Sequence, residues 1–250
     1  MGIKRPAFAN ASHRLITIGT SIQHSNVFLT SLPPSEWVRW RDRIHIHHFR
    51  AGELISPQGA SATYAYFPVN CLIAITLKGP DQEEIQIAYI GRTGVFGLSP
   101  SASAPTDEAR IIRPGSAYRI TRAWIQAEIE TSATLRTFLH AYWHVQLEQS
   151  QRDLFCSRHH SLREQFCRLI LSLIDMIAED VIDFTQTDFA LTMGIQRETI
   201  NAIAKDLKNN RVIAYSRGQL RVLDRSKLET KACVCYEKQK RNFKVTPATK

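Results

Sequence analysis

Hydrophobic positions follow two different patterns along the chain, one before and one after about residue 121. Across residues 44–120, short apolar runs such as 72–77 and 85–90 are separated by Gly, Pro and Asp. This spacing, without intervening helices, predicts a sandwich or jelly roll of short strands. After residue 121, apolar residues recur every three or four positions, which predicts helices. The chain is therefore predicted to be an α+β protein with an N-terminal β-roll and a helical C-terminal half.

A long helix is predicted after Ser132, a residue type that suits the N-cap position. It runs to about residue 156 without Gly or Pro. Its apolar stripe has too few partners within its own chain, so we expect it to pair with its copy in a second subunit. Packing inside one subunit is the alternative. The predicted dimerisation residues are Leu135, Phe138, Tyr142, Val145 and Gln149.

Residues 186–205 carry the most specific pattern in the chain. Gly194 lies between two amphipathic helical stretches, where a tight turn needs the positive φ that glycine adopts without strain. Ala190 is small, so that a second helix can cross close above it. The pattern predicts a helix-turn-helix, whose second helix lies in the DNA major groove. An ordinary helical hairpin in a core is the alternative. The predicted buried face of the second helix consists of Ile200, Ile203, Ala204 and Leu207.

The second helix, predicted over Gln196–Asn209, leaves polar side chains outward. Arg, Glu and Asn can read base edges, and Lys suits a phosphate. Residues 211–223 are typical of two short strands joined by a Ser-Arg-Gly turn, which predicts a wing with an arginine at its tip. The predicted DNA contacts are Gln196, Arg197, Glu198, Thr199, Asn201, Lys205 and Arg217.

These elements divide the chain into four predicted segments. Residues 1–131 form a loose tail and the roll, with Pro34 in the first turn of a short helix. Residues 132–156 form the long helix. Residues 157–236 form the winged helix-turn-helix domain, with the helix of residues 161–178 as its floor. Residues 237–250 are expected to be a disordered basic tail.

Charge and composition fit a protein that binds a polyanion. The formal net charge is +9. Residues 157–250 hold 17 Lys and Arg against 11 Asp and Glu, whereas residues 1–156 hold 15 against 12. The excess thus lies mainly with the helix-turn-helix half, as DNA binding requires. Because no apolar run approaches a membrane span or a signal-peptide core, we expect no membrane partner and a cytoplasmic location.

Cysteine and histidine spacing predicts neither a metal site nor an enzyme. His45 and His47 point the same way on a predicted strand, but zinc needs three or four ligands, so a polar sheet face is favoured. Cys233-x-Cys235 resembles half a zinc or redox site without a second Cys or His pair at suitable spacing, which favours a thiol pair without metal. The odd total of five cysteines fits a reduced cytosol, and we expect Cys156 to be a buried apolar group. Walker A, dinucleotide-binding and hydrolase motifs are all missing from the sequence.

The chain carries the segments Gly52-Glu53-Leu54-Ile55, Tyr66-Phe67-Pro68, Gly91-Arg92-Thr93-Gly94 and Arg197-Glu198-Thr199. Together with the order of roll, long helix and winged helix, these segments resemble the Crp/Fnr transcription regulators over nearly the whole chain. The resemblance implies a homodimer bound to a near-palindromic site on double-stranded DNA, with RNA polymerase as a further candidate partner and the roll as a sensor or a vestigial scaffold. Arg197 and Glu198 match the base-reading pair of the family. Gln196 replaces its usual Ser or Thr cap, and Ala202 replaces a second reading arginine, so the operator is expected to differ.

The resemblance also bears on cofactors. Cyclic-nucleotide binders of the family carry Gly-Glu-Leu and then Arg-Ser-Ala around the phosphate, whereas Gly97-Leu98 here lacks the glutamate and Asp107-Glu108 would repel an anion. Cyclic AMP is therefore not expected, and the sequence leaves any other effector unknown. No N-terminal cysteine cluster is present to hold an iron–sulfur centre.

The function predicted from the sequence is that of a dimeric, sequence-specific DNA-binding transcription regulator. The alternative is a ligand- or protein-binding regulatory module whose winged helix serves as a protein interface. Salt dependence separates the two, because contacts to several phosphates weaken steeply with salt.

Overall fold

Two short helices begin the described part of the chain. The computed structural model describes residues 25–79, 84–98, 107–216 and 218–242, so most of the predicted N-terminal tail lies outside it. The side chain of Asn26 caps the first helix by accepting from Leu29 N, and it donates to Pro68 O at 2.9 Å. Pro34 occupies the first turn of the second helix, as predicted. These helices are α1 (Val27–Ser31) and α2 (Pro34–Trp40).

Two antiparallel sheets form the predicted roll. One has the strand order β1-β7-β3 and the other the order β2-β6-β4-β5. Their inner faces share a core in which Ile73, Ile111 and Ala117 are completely buried. The strands are β1 (His45–Phe49), β2 (Leu54–Ser56), β3 (Tyr64–Pro68), β4 (Leu72–Lys78), β5 (Glu84–Ile90), β6 (Asp107–Arg113) and β7 (Gly115–Thr121).

The long helix begins where the sequence predicts and extends past residue 156. Helix α3 (Arg122–Thr131) leads into α4 (Ala133–His159) through Ser132. The Ser132 hydroxyl accepts from Leu135 N at 3.1 Å and donates to Glu36 Oε1 at 2.7 Å. The cap therefore also ties the start of the long helix to α2.

The N-terminal half of α4 packs against the roll of its own subunit. Leu135, Phe138 and Tyr142 are at most 6% exposed, and the rings of Phe138 and Tyr142 lie 5.2 and 5.0 Å from the ring of Phe28. Their assignment to a seam between subunits is therefore wrong. The pattern identified a buried face correctly, but the partner is intramolecular because α1, which the sequence analysis did not predict, supplies it.

The C-terminal half contains the predicted helix-turn-helix and wing. Its core includes Phe166, Ile170, Phe189 and Leu207, and a small sheet has the order β8-β10-β9. Its elements are α5 (Leu162–Ile177), β8 (Val181–Ile182), α6 (Gln186–Met193), α7 (Arg197–Asn209), β9 (Ile213–Ser216), β10 (Gln219–Val222), α8 (Arg225–Lys231) and α9 (Cys235–Asn242).

Helix α9 corrects the expectation of a disordered tail from residue 237. Two of its residues, Tyr236 and Gln239, are buried against α5. The Tyr236 hydroxyl donates to Asp175 Oδ2 at 2.8 Å, and Ser172 Oγ donates to Gln239 Oε1 at 2.9 Å. These tertiary contacts order a segment that is too polar to predict as folded. The rest of the predicted tail, residues 243–250, lies outside the described residues.

The roll and the winged domain touch along β5. The hydroxyls of Tyr89 and Thr192 are hydrogen-bonded. Gly91 approaches α5 so closely that an added Cβ would lie 2.5 Å from Met176 O, the same oxygen that accepts from Arg92 N at 2.8 Å. None of the described helices combines the length and the apolar character needed to cross a bilayer.

Candidate nucleic-acid interface

Local signals in the sequence shape the turn between α6 and α7. Thr185 caps α6 through a capping box, in which Asp188 N donates to Thr185 Oγ1 at 3.2 Å and Thr185 N donates to Asp188 Oδ2 at 2.7 Å. Gly194 ends α6 with a φ of +63°, a conformation that glycine adopts at little cost. The predicted turn is confirmed.

Helix α7 buries an apolar face against the rest of the domain. Ile200, Ala204 and Leu207 are buried, Ile203 packs partly against the same core, and Ala190 of α6 is buried beside them. Gln196 is the N-cap residue, and its side chain makes no cap hydrogen bond within the described structure. Thr199 N donates to Gln196 O at 3.1 Å, and without a side-chain cap the start of the helix stays open to an outside acceptor such as a phosphate.

The opposite face of α7 points to solvent and carries the predicted DNA contacts. Gln196, Arg197, Glu198 and Lys205 are exposed, whereas Thr199 and Asn201 are half-buried. Asn201 Oδ1 is inaccessible to solvent and has no partner among the described atoms. In this side-chain conformation Asn201 cannot offer both amide atoms to an adenine.

One ion pair links α7 to α5, and hydrogen bonds stabilise the chain around it. Arg163 of α5 forms an ion pair with Asp206 of α7, and Asn210 Nδ2 donates to Asp206 O at 2.8 Å. Below the other end, the Tyr215 hydroxyl donates to Phe184 O. Burial raises the pKa of Tyr215 to about 12, so this hydroxyl remains a donor at neutral pH.

The predicted wing is present as the hairpin of β9 and β10. Ser216 pairs with Gln219 across the turn, and Gly218 has a φ of +80°. Arg217, the predicted phosphate contact at the tip, lies outside the described residues. Its role stays a prediction.

A second exposed surface lies on the C-terminal half of α4. Leu147, Leu154 and Phe155 are 57%, 60% and 53% exposed, which is unusual for large apolar side chains on one helix. These residues lie outside the single apolar stripe from which the seam was predicted, so the prediction did not include them. Val145 and Gln149, the remaining predicted seam residues, are half-buried, and their role in dimerisation stays a prediction.

The roll contains a cavity of about 200 Å³. Asp107 lines it, whereas Glu108 pairs with Lys78 at 3.1 Å and Arg110 at 2.8 Å, and the repulsion of a phosphate stays a prediction. Burial raises the pKa of Glu108, but hydrogen bonds from Arg110 and Lys78 outweigh it and hold the pKa below its usual value. The remaining described lining residues are Ser56, Ser61, Ala62, Ile90, Val95, Phe96, Gly97, Leu98 and Arg122.

The cysteines at the C-terminal end have partners that the sequence analysis did not identify. Cys156 and His160, one turn apart at the end of α4, lie beside Cys233 and Cys235, and the four possible ligand atoms are all within 4.8 Å of one another. The view that no second Cys or His pair exists is therefore wrong. The i, i+4 spacing of Cys156 and His160 is a signal that could have suggested it.

Comparisons with known proteins agree with this architecture. Residues 164–231 match the model of the Crp-like helix-turn-helix domain. The fold is similar to that of FixK2 from Bradyrhizobium japonicum, with a TM-score of 0.66, 15% identity, and coverage of 76% of this chain and 98% of that chain. It is also similar to TTHB099, a CRP-family transcriptional regulator from Thermus thermophilus, with a TM-score of 0.59, 20% identity, and coverage of 74% and 96%.

A third similar structure, from Eubacterium rectale, is described as a transcriptional regulator of the Crp/Fnr family. Its TM-score is 0.60 at 14% identity, with 83% of this chain and 98% of that chain covered. No curated protein matches the chain by sequence. The predicted resemblance is confirmed: the chain carries a Crp-like helix-turn-helix domain and has the fold of the Crp/Fnr transcription regulators.

Proposed function

We propose that this protein is a homodimeric transcription regulator that binds a specific, near-palindromic DNA sequence. The observation that carries the proposal is the polar outward face of α7, on a helix whose opposite face is buried in a winged domain. Such a helix reads base edges through its N-terminal residues. The excess positive charge of the C-terminal half supplies attraction to the phosphates.

The positions along α7 suggest different roles for its exposed residues. Arg197 and Glu198 lie in the first turn, the end that enters the major groove, where Arg197 can bind guanine O6 and N7 and Glu198 can accept from cytosine. Lys205, two turns further on, is placed for a phosphate and carries no sequence information. Ala202 offers only a methyl group, so we expect an operator without a second arginine-guanine contact.

Dimerisation is proposed through the exposed half of α4. Leu147 and Leu154 are seven residues apart, the spacing that places side chains on one seam of a coiled coil, and Phe155 lies next to it. A second copy of the chain is the natural occupant, because it presents the same apolar row. Two paired subunits would present two copies of α7, as a near-palindromic site requires.

Cyclic AMP is not proposed as the effector. The described lining of the roll cavity carries the acidic Asp107 together with one arginine, Arg122, and the two arginines nearest to Asp107 in sequence are engaged elsewhere. Arg110 binds Glu108, and Arg113 binds Glu179 at 2.6 Å. The roll remains a sensor for another ligand or a scaffold.

Selection of binding sites from random DNA, followed by titrations at two salt concentrations, tests the proposal. We expect a symmetric consensus and an affinity that falls steeply with salt. Enrichment of no sequence, or an affinity for DNA independent of salt, would instead favour a protein-binding role for the winged domain.

A further inference from the structure

Four possible metal ligands lie close together: the thiols of Cys156, Cys233 and Cys235 and the imidazole of His160. Cys156 Sγ lies 3.4 Å from Cys233 Sγ, and Cys235 Sγ lies 3.7 Å from His160 Nδ1. The three cysteines are buried and His160 is half-buried. We propose that these four residues bind one Zn²⁺ ion, as a structural site with three cysteine ligands and one histidine ligand.

Two of the six separations between the ligand atoms lie close to the edges of a zinc tetrahedron. With Zn–S bonds of about 2.3 Å and a Zn–N bond of about 2.0 Å, tetrahedral geometry places two sulfurs ~3.8 Å apart and a sulfur and a nitrogen ~3.5 Å apart. The observed values of 3.4 and 3.7 Å lie close to these distances. Four N and S ligands with no open position are typical of structural rather than catalytic zinc.

Two other uses of these thiols fit less well. A disulfide needs its sulfurs about 2.0 Å apart, whereas the sulfurs of Cys156 and Cys233 are 3.4 Å apart and both thiols are free. The ligands of an iron–sulfur cluster bind different irons and must surround the whole cluster. Ligand atoms that all lie within 4.8 Å of one another leave room for a single ion.

One arginine lies beside the four proposed ligands and can partly offset the charge of a metal site. Binding releases three thiol protons to solvent, so Zn²⁺ with three thiolates and a neutral imidazole carries a net charge of −1. Burial raises the pKa of the Cys156 thiol, while the charge of Arg168 of α5, which also binds Asp153 at 2.7 Å, acts in the opposite direction. Arg168 Nε is buried without a partner among the described residues, which leaves one N–H to complement a charged sulfur.

The site would lie at the joint between the long helix and the winged domain. His160 is the C-cap of α4, and the next residue, Ser161, is the N-cap of α5. Cys233 lies in the short segment that joins α8 to α9, and Cys235 is the first residue of α9. A metal ion bound to all four would fix the direction in which the winged domain leaves α4, and it would hold α9 in place.

Metal analysis of the full-length protein, purified under reducing conditions without added metal, tests the assignment. We expect one zinc per chain by mass spectrometry of the elements, and loss of that zinc in Cys233→Ser and His160→Ala. Cys71→Ala is the matched control, because Cys71 is equally buried but lies in the roll. Cobalt(II) added to the metal-free protein should give the thiolate charge-transfer absorption of a tetrahedral site, and hydrogen exchange around residues 156–162 should rise when zinc is removed.

Several results would overturn the inference. A metal-free protein that, while still folded by circular dichroism, takes up neither zinc nor cobalt in competition with a chromogenic chelator contradicts it. Stoichiometric iron in place of zinc, or a Cys156–Cys233 disulfide detected in reduced preparations, also contradicts it. None of these measurements requires DNA, so failure of the proposed function would leave this test unaffected.

Discussion

Helices α4 and α7 are both amphipathic, but the faces that they turn outward differ in chemistry. The outward side chains in the second half of α4 include Leu147, Leu154 and Phe155, whereas α7 presents Arg197 and Lys205. An exposed apolar row suits a protein partner, and an exposed row of hydrogen-bonding and charged groups suits DNA. The comparison shows that the inward face of a helix determines the fold, while its outward face indicates the partner.

The largest effect is expected from a change on the inward face of α4. Phe138→Glu removes a ring packed against Phe28 and leaves a carboxylate in its place. Loss of a buried Phe alone costs about 3–5 kcal/mol, and an unpaired buried charge adds to that cost. We expect the free energy of unfolding, measured with urea, to fall by at least this amount. If the variant stays folded and becomes a monomer, Phe138 lies in the interface between subunits, as the sequence predicted.

Changes on the outward face of α4 should separate dimerisation from folding. The double variant combines Leu147→Glu and Leu154→Glu. Each charge that it places in a buried seam costs about 2 kcal/mol, which raises the dimer dissociation constant about 30-fold. Sedimentation should show a monomer with an unchanged circular dichroism spectrum. Val38→Glu is the control, since Val38 is 56% exposed on α2. A persistent dimer would move the interface away from this row.

Arg197→Ala tests base reading by α7. Loss of a bidentate contact with guanine should cost about 1–3 kcal/mol on the best operator and flatten the preference at one position in each half-site. The loss of preference would be measured by titrating the variant with operators that carry single-base changes. If every operator weakened equally, Arg197 would be a phosphate contact.

A smaller and sequence-independent effect is expected for Lys205→Ala. All DNA sequences should be bound more weakly to the same degree, and the dependence of log affinity on log salt should become shallower by about one unit for each contact removed. The measurement is a salt series on specific and random duplexes. Selective loss on one operator would contradict the assignment to phosphate.

The smallest effect is expected from cyclic AMP. Because Asp107 lines the cavity and Arg110 is occupied by Glu108, millimolar cyclic AMP should give no saturable heat in calorimetry. Operator affinity should be the same with and without it. Saturable binding would mean that Arg122, which also lines the cavity, pairs with the cyclic phosphate.

Features that depend on neighbouring residues could be predicted from the sequence, and those that depend on distant ones could not. The turn at Gly194 and the cap at Ser132 are set within a few residues, so both were predicted correctly. The stripe through Phe138 predicted burial but not the partner, because periodicity contains no information about which surface covers a face. The contact of Cys156 with Cys233 spans 77 positions of the chain, and only the tertiary fold brings them together.

The course of β5 along the boundary between roll and winged domain has a consequence for how this region can vary. Ile90 lines the cavity, while its neighbours Tyr89 and Gly91 contact Thr192 and Met176 in the other domain. Consecutive residues of a strand face opposite sides, so one peptide segment serves both surfaces. A substitution that reshapes the cavity wall at position 90 acts next to contacts between the two domains. A change in the interior of the roll at this position is therefore also expected to affect the contact between the roll and the winged domain.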